Sequence, residues 1–230
     1  MSLILNIETS AKFCSIALGR NGKMIDLIES NEIYMHAQNI NIFIQNILQK
    51  NNLTINDLDA IAVSEGPGSY TGLRIGISSA KGLAYGLDKP LIFINTLFAM
   101  ANYVNSFINL DKEDYVIPMI DARRMEVYTA VYNSKIELAT PPHALIIDEN
   151  SFINLSSKGK IYLIGDAVTK TKPTLSKISN AVFIENIYPS AEFMINIANK
   201  YFIEKNFVDI AYSEPFYLKE FIATKAKNLL

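Results

Sequence analysis

The stretch Glu65-Gly-Pro-Gly-Ser-Tyr-Thr-Gly-Leu-Arg-Ile-Gly-Ile-Ser-Ser-Ala-Lys-Gly-Leu-Ala84 decides how this chain folds, because it joins a strand to a helix through a tight turn. The apolar run before it, Leu58 to Val63, predicts a buried strand. Gly66-Pro67-Gly68 predicts the turn, since glycine tolerates positive φ and proline fixes its own φ. Ser69 or Thr71 is the predicted N-terminal cap of the helix.

Small residues recur at every fourth position of the predicted helix, at Gly72, Gly76, Ala80 and Ala84. An interior glycine costs about 1 kcal/mol in a helix, so this spacing needs a physical reason. A face without side chains lets another backbone approach closely. We therefore predict tight packing on this face, either by another segment of the same chain or by a partner protein.

Composition excludes several classes of function. The chain has 230 residues, half of them hydrophobic, and a net charge of −2, which argues against a strong nucleic-acid footprint of its own. Cys14 is the only cysteine, so neither an intrachain disulfide nor a cysteine metal cluster is expected. The N-terminus lacks a basic signal-peptide region, and no apolar run has transmembrane length. We expect a soluble, cytoplasmic protein.

The order of predicted elements in residues 1–108 is three strands, a helix, and then strands alternating with helices. The strands are Leu3 to Ile7, Phe13 to Leu18, Met24 to Ile28, Leu58 to Val63 and Leu91 to Ile94, and the helices are His36 to Leu48, the helix from Gly72, and one capped by Asn95 or Thr96 that reaches about Phe107. Arg20-Asn21-Gly22-Lys23 predicts a hairpin turn.

Residues 109–230 repeat this order. The predicted strands are Tyr115 to Ile120, Met125 to Tyr132, one within Ile136 to Ile147 that Pro141 and Pro142 interrupt, Lys160 to Ile164, and Ala181 to Ile184. Short helices are expected from Asp148 to Leu155 and around Thr174 to Ile178, and a longer one after Ser190. The repeated order predicts two similar α/β domains, 1–108 and 109–230, each a mixed five-stranded sheet with flanking helices, and a C-terminal tail that docks back. A ligand would lie in the cleft between them.

Five stretches of the sequence resemble motifs of a known superfold or of one family within it. Asn6-Ile-Glu-Thr-Ser10 resembles the first phosphate loop of the actin, sugar kinase and heat-shock protein superfold. The stretch from Glu65 to Ala84 is similar to the Gly-Pro-Gly-Ser-Phe-Thr-Gly-Leu-Arg-Ile-Gly stretch of the bacterial TsaB (YeaZ) family, and Asp121-Ala-Arg-Arg-Met-Glu-Val-Tyr128 resembles a second stretch of that family. Tyr188-Pro-Ser-Ala191 and Pro215-Phe-Tyr-Leu218 also fit.

The resemblance implies two tandem actin-like (ribonuclease H-like) domains and a role in making N6-threonylcarbamoyladenosine at position 37 of ANN-decoding tRNAs. It implies a non-catalytic scaffold without a cofactor. The implied partners are the paralogue TsaD, which carries the metal and transfers the threonylcarbamoyl group, and the ATPase TsaE. Transfer RNA would be reached indirectly, through the complex, and the chain alone is expected to form a homodimer.

The histidines do not fit metal or protease chemistry. Two histidines four positions apart on a helix can grip one ion, but Ile40 stands four residues after His36. His143, the only other histidine, lies beside Pro141 and Pro142 and reads as a loop residue. A serine nucleophile needs a base held by a third group, and neither histidine has that context. We expect no metal site, although a metallopeptidase is kept as a remote alternative.

A weakened nucleotide site is the second hypothesis from the residues. The helix N-terminus at Ser69 to Gly72 could bind an anion, but the stretch lacks the P-loop lysine. The superfold usually offers an Asp in its first loop and adjacent glycines in its adenosine loop, whereas this chain has Glu8-Thr9 and a single glycine at 165–167. The candidate vestigial loops are Glu8, Thr9, Ser10, Asp121, Gly165 and Asp166. The alternative function is a small-molecule kinase of the same superfold.

We expect the partner interface on the helices that begin at His36 and Gly72. The small face would allow close approach, apolar side chains would supply contact, and Arg74 would pair with a carboxylate. The predicted interface comprises His36, Ile40, Ile44, Gly68, Ser69, Tyr70, Thr71, Gly72, Leu73, Arg74, Gly76, Ile77 and Ala80. Without its partner, the same surface would form a two-fold homodimer.

Overall fold

The computed structural model describes residues 1–30, 36–155 and 159–219, and for residues 36–39 it describes the backbone only. The first sheet contains β1 (Leu3–Glu8), β2 (Ser15–Arg20), β3 (Lys23–Glu29), β4 (Ala60–Gly66) and β5 (Leu91–Asn95), in the order β3-β2-β1-β4-β5. β1 is the central strand and is buried throughout. The β2–β3 hairpin turns at Asn21 and Gly22, with φ of 51° and 76°, as a two-residue turn of this kind requires.

The second sheet repeats this topology. It contains β6 (Tyr115–Asp121), β7 (Glu126–Asn133), β8 (Leu138–Ile146), β9 (Ile161–Ile164) and β10 (Ala181–Ile184), in the order β10-β9-β6-β7-β8. In both sheets the first strand pairs antiparallel with the second and parallel with the fourth. The predicted fold class, two mixed five-stranded sheets with flanking helices, is confirmed.

Within the described ranges, five α-helices flank the sheets: α1 (His36–Lys50), α2 (Tyr70–Leu87), α3 (Thr96–Val104), α4 (Val168–Leu175) and α5 (Ile195–Ile203). One apolar core lies between the sheets and takes residues from both, such as Ile4 and Ile94 from the first and Ile120 from the second. α3 and α5 fill this core, and Tyr103 of α3 stacks on Phe193 with ring centroids 3.9 Å apart. The two halves are therefore joined by a shared core.

Three sequence predictions need correction. The helix placed at Thr174 to Ile178 lies earlier, at Val168–Leu175, and the helix after Asn95 ends at Val104 rather than Phe107. β8 runs on through Pro141 and Pro142, because it is an edge strand and its pairing with β7 shifts register at the two prolines, which lack an N–H group to donate. His143 consequently lies in β8 and not in a loop.

Other boundaries moved by a few residues. α2 begins at Tyr70, two residues before the predicted start, and Ser69 is its cap, since its hydroxyl accepts a hydrogen bond from the Gly72 N–H. Ser190 caps a 3-10 turn, Ala191–Met194, that leads into α5, and the helix expected after Asp148 is a 3-10 turn at Ile153–Leu155. Among the described helices, none is long and apolar enough to cross a membrane.

The last described segment, residues 206–219, follows α5 and first runs along the first sheet, and we call it the C-terminal strap. Its Val208 N–H donates to the Leu91 carbonyl oxygen over 2.9 Å, at the edge of the first sheet. The Lys81 ammonium group on α2 donates to the Ala211 carbonyl oxygen over 3.3 Å. The strap therefore runs along one side of α2.

The strap then crosses to the second sheet. The Phe216 N–H donates to the Glu65 carbonyl oxygen over 2.7 Å, directly before α2. The Lys219 ammonium group pairs with the Glu126 carboxylate of β7 at 2.5 Å. The strap thus spans the cleft between the two halves.

Candidate functional site

The small face of α2 is packed against the chain's own first loop. A Cβ at Gly72 would overlap the Thr9 carbonyl oxygen, and one at Gly76 would overlap the Thr9 hydroxyl. That hydroxyl donates a hydrogen bond to the Gly72 carbonyl oxygen over 2.8 Å. A Cβ at Gly68 would likewise overlap the Ser10 carbonyl oxygen. These glycines allow the loop after β1 to lie directly on the helix.

Much of the predicted interface is therefore unavailable to a partner. Seven of its residues are buried in the chain's own core or against its first loop, namely Ile40, Ile44, Gly72, Leu73, Gly76, Ile77 and Ala80. Four of them, Ile40, Ile44, Ile77 and Ala80, belong to the core between α1, α2 and the first sheet. The side chain of His36 lies outside the described residues. Thr71 and Arg74 remain exposed, and Gly68, Ser69 and Tyr70 are half-buried.

α2 has a second small face, which points away from the core. Ser78, Gly82 and Gly86 are exposed and again stand four positions apart. A Cβ on Gly82 or Gly86 would meet no atom within 4 Å. Tyr85, on the same side, is 81% exposed. The sequence analysis missed this open face, because the four-residue spacing of small residues occurs on both sides of the helix.

Arg74 lies at the border between the open face and the strap. Its guanidinium group stacks on the Tyr70 ring at 4.2 Å from the centroid, and its Nε donates to the Tyr217 hydroxyl over 3.2 Å. The rings of Tyr70 and Tyr217 are themselves 4.8 Å apart. Arg74 is thus held in position by two aromatic rings while remaining exposed.

A cavity of about 370 Å³ occupies the cleft between the halves. Its walls come from the first loop, the start of α2, the turn after β6, the β9–α4 loop and the strap. The polar and charged lining includes Ser10, Lys12, Ser69, Asp121, Arg123, Asp166 and Lys219. Three of the candidate vestigial loop residues, Ser10, Asp121 and Asp166, therefore do meet in one place.

Two carboxylates in this cleft have different environments. Burial acts to raise the pKa of Asp121, but the hydrogen bond from Lys170 and the backbone N–H of Arg123 outweigh it and lower that pKa. The Lys170 ammonium group lies 2.5 Å from Asp121. Burial raises the pKa of Asp166, whose carboxylate accepts the Asp121 N–H over 2.8 Å.

Gly165 has φ of 121°, and a Cβ there would overlap the Met119 carbonyl oxygen, so this position requires glycine.

The first loop fills the space in front of α2 with its own backbone. The Ser69 N–H donates to the Ser10 carbonyl oxygen over 2.6 Å, and the Ser10 N–H donates to the Glu8 carboxylate over 2.5 Å. The Ser64 hydroxyl also donates to Glu8 over 2.9 Å. Glu8 is 1% exposed, and its burial raises the pKa of its carboxyl group. Glu8 and Thr9 thus hold the loop against the helix and do not line the cleft.

The remaining titratable candidates are structural. His143 Nδ1 lies 2.9 Å from the Pro141 carbonyl oxygen, on the edge strand. Cys14 is fully buried, and desolvation, together with the nearby Glu8, raises the pKa of its thiol to about 12. In the described part of the chain, no group of three or more His, Cys, Asp and Glu side chains could hold a metal ion.

Comparison with known proteins finds matches over almost the whole chain. A protein-family model described as TsaD, tRNA N6-adenosine threonylcarbamoyltransferase, matches residues 33–213. The tRNA threonylcarbamoyladenosine biosynthesis protein TsaB of Escherichia coli is 32% identical over 227 residues, which cover 96% of each chain. TsaB of Haemophilus influenzae is 29% identical over 239 residues, which cover 96% of this chain and 95% of that protein.

A comparison with solved structures finds a YeaZ protein with the same fold. The structure of YeaZ from Pseudomonas aeruginosa superimposes with a TM-score of 0.79, and the match covers 95% of this chain and 100% of that one. At 24% sequence identity, this likeness concerns the fold.

Proposed function

Because this chain belongs to the TsaB family, we propose that it is a non-catalytic subunit of the complex that forms N6-threonylcarbamoyladenosine in tRNA. Its partner in this proposal is a TsaD-type transferase, joined by a TsaE-type ATPase. The role of the chain is to bind and support the transferase, which carries the metal. The observation that carries this proposal is the open small face of α2.

The open face has the features of a close helix–helix contact. Helices approach each other most closely where small residues replace bulky ones, and Ser78, Gly82 and Gly86 provide such a strip. Gly82 lies in the helix interior, where glycine costs about 1 kcal/mol, and nothing in the described chain packs against it. Tyr85 and Arg74 border the strip and are the types of side chain that most often dominate binding energy at interfaces. A partner helix packed on this face would explain why a glycine stands at this interior position.

A neighbouring groove extends the proposed docking area. A cavity of about 550 Å³ opens between α1 and the loop that follows it, and its accessible lining includes Gln45 and Gln49 of α1, Leu53 of that loop and Leu83 of α2. The lining is mostly apolar with amide side chains at the rim, as is common for interfaces. In this arrangement the partner covers the outer sides of α1 and α2 together.

The non-catalytic role is supported by the titratable groups. The two histidines of the sequence, His36 and His143, are not four positions apart, so they do not form the helical pair that could grip a metal ion. Glu8 and Thr9, which occupy the first-loop positions, are buried and hold the loop on α2. The strap residues Phe216 to Lys219 form part of the cleft wall, so the chain itself occupies part of the space where a substrate would bind.

The deciding experiment is capture of the host's TsaD homologue by variants of the open face. Gly82→Leu puts a bulky side chain on the open face, at a position where a Cβ meets no atom within 4 Å. We expect it to weaken capture of TsaD at least ten-fold, roughly the cost of one misfit at an interface centre, and to lower threonylcarbamoyladenosine formation accordingly. Lys200→Leu, at an exposed position of α5, is the matched control and should bind normally.

Normal capture and full tRNA modification by Gly82→Leu would remove the open face from the interface. In the absence of TsaD, we propose that the same face forms a two-fold homodimer, which sedimentation of the lone chain would detect. Gly82→Leu should then sediment as a monomer.

The kinase alternative makes a different prediction about the lone chain. A kinase would bind ATP with micromolar affinity and turn it over, whereas the proposed subunit should show neither. Titration of ATP followed by calorimetry separates the two. A metallopeptidase would carry zinc or iron after purification, and elemental analysis addresses that alternative.

A further inference from the structure

The second family-like motif, Asp121 to Tyr128, has no part in the proposed docking of TsaD. It forms the turn between β6 and β7, at the mouth of the cleft. Arg123 and Arg124 both adopt positive φ, at 72° and 49°, which is uncommon for residues other than glycine and costs free energy at each position. Both side chains are exposed. The turn therefore presents two adjacent arginine side chains to solvent.

Hydrogen bonds from Asp121 and Lys170 hold the turn in place. The Asp121 carboxylate accepts the Arg123 N–H over 2.8 Å. The Lys170 ammonium group donates to Asp121 and also to the carbonyl oxygens of Arg124 and Glu126, each at 2.7 Å. The nearest carboxylate is thereby used to fix the backbone and is already paired with a lysine. The arginine side chains stay available to an external anion.

Positive charge from three further segments converges on this turn. Lys12 of the first loop and Lys219 of the strap line the same cavity as Arg123. Lys219 is paired with Glu126 and Lys170 with Asp121, whereas Lys12, Arg123 and Arg124 form no ion pair within the part of the chain that the structure describes. The chain as a whole carries a net charge of −2, so this basic rim is a local feature of the cleft mouth.

We propose that the Arg123–Arg124 turn and Lys12 bind the phosphate backbone of RNA, so that this chain contacts the tRNA directly while TsaD acts on it. The inference rests on the proposed function, which makes tRNA the substrate of the complex. Arginine is the residue best suited to phosphate, because its planar guanidinium group donates two parallel hydrogen bonds. Arg123, Arg124 and Lys12 make no direct ion pair in the described chain, and Lys12 acts on Asp121 and Asp166 only through longer-range electrostatics. A short rim of three such cations suits a few phosphates of a larger RNA that is bound mainly elsewhere.

The test uses the complex of this chain with the host's TsaD homologue and an unmodified tRNA transcript with an ANN anticodon. Arg123→Gln/Arg124→Gln removes two cations and leaves the buttress of Asp121 and Lys170 in place. We expect tRNA binding to weaken on the order of ten-fold, and the slope of log K against log salt concentration to fall by about 1.5, since each lost phosphate contact accounts for about 0.7 to 0.9.

The control removes the same charge elsewhere on the same sheet. Lys135→Gln/Lys160→Gln changes two exposed residues at the other end of β6, roughly 20 Å away at about 3.3 Å per residue. This variant should bind tRNA with the wild-type salt slope. A third variant, Arg123→Lys/Arg124→Lys, keeps the charge but not the paired hydrogen bonds, and it should retain the slope while losing part of the affinity.

The outcomes separate this inference from the proposed function. Capture of TsaD by the wild-type chain tests the function and is measured first. If the glutamine variant captures TsaD and TsaE normally but binds tRNA with unchanged affinity and salt slope, the RNA contact is refuted. If instead it loses TsaE or TsaD while the chain melts at the wild-type temperature, the turn binds an acidic protein surface and the RNA contact is again refuted.

Discussion

At the scale of single residues, buried polar groups shape the first loop. Glu8 lies under the loop with its carboxylate bound to the Ser10 N–H and the Ser64 hydroxyl. Desolvation is the largest influence on this group and raises its pKa, whereas the hydrogen bonds from Ser10, Ser64 and Thr9 oppose that shift. The loop is therefore held by an acceptor whose negative charge is costly to bury.

This cost predicts the effect of Glu8→Gln. The glutamine carbonyl can accept the hydrogen bonds from the Ser10 N–H and the Ser64 hydroxyl without a charge, so the variant should be more stable at pH 8, by about 1.4 kcal/mol for each unit by which the pKa is raised. Because the folded-state pKa lies above the unfolded value near 4.5, the penalty appears as pH rises through that window and is absent below it. Denaturant unfolding at pH 8 and pH 4 measures this difference.

The matched control for this prediction is the exposed Glu113→Gln, which should leave the free energy of unfolding within about 0.5 kcal/mol at both pH values. Equal or lower stability of Glu8→Gln at pH 8 would mean that the ionised carboxylate is a net benefit to the fold.

At the scale of elements, α2 carries two faces of small residues that have different surroundings. Its inner small face receives the backbone of the first loop, and its outer small face is exposed. The apolar side chains of Leu73 and Ile77 flank the inner face and are buried. Because burial of such side chains is favourable and a glycine has no side chain to bury, these two residues turn the inner face toward the protein interior. The same helix therefore serves the fold on one side and, in our proposal, a partner on the other.

The two faces predict opposite results for the same substitution. Gly72→Ala would force a Cβ onto the Thr9 carbonyl oxygen and should lower the free energy of unfolding by about 1 to 3 kcal/mol. Gly82→Ala meets nothing and replaces a poor helix former, so it should raise that free energy by up to about 1 kcal/mol. Denaturant unfolding of the lone chain measures both. A destabilising Gly82→Ala would mean that the outer face is already packed in the chain alone.

At the scale of the whole molecule, the strap joins the two halves across the cleft. It is attached to α2 and to β7 by exposed side-chain contacts, and to β5 by one backbone hydrogen bond from the half-buried Val208. Exposed pairs of this kind contribute little to stability, typically less than about 1 kcal/mol each. The strap should therefore be able to open locally while the rest of the molecule stays folded.

Tyr217→Ala tests this arrangement. The variant loses the ring contact with Tyr70 and the hydrogen bond from Arg74. We expect amide exchange at Phe216, whose N–H donates to Glu65, to become at least ten-fold faster, equivalent to about 1.4 kcal/mol of local stability. The melting temperature should change by only a few degrees. Tyr212→Ala, on an exposed side chain of the same segment, is the control, and equal exchange in both variants would contradict the role of Tyr217.

The sequence predicted most of the fold, because its signals are local. Apolar runs, the Asn21-Gly22 turn and a cap at Ser69 or Thr71 each act within a few residues, and the repeated order of elements predicted the two sheets. The predictions failed where tertiary context competes with a local signal. Pro141 and Pro142 break a central strand but not the edge strand in which they lie, and an edge position is set by the whole sheet.

The candidate site depended far more on tertiary structure. The spacing of glycines predicted that something packs closely on α2, and that was correct, but it could not tell that Thr9 fills the inner face. Lys12, Lys170, Tyr217 and Lys219 come together from segments far apart in the chain, and no local pattern marks them. The amino-acid sequence by itself determined the elements, their order and the family. Only the folded chain decided which helix face is open and which charges meet at the cleft, because these depend on contacts between residues that are distant in sequence.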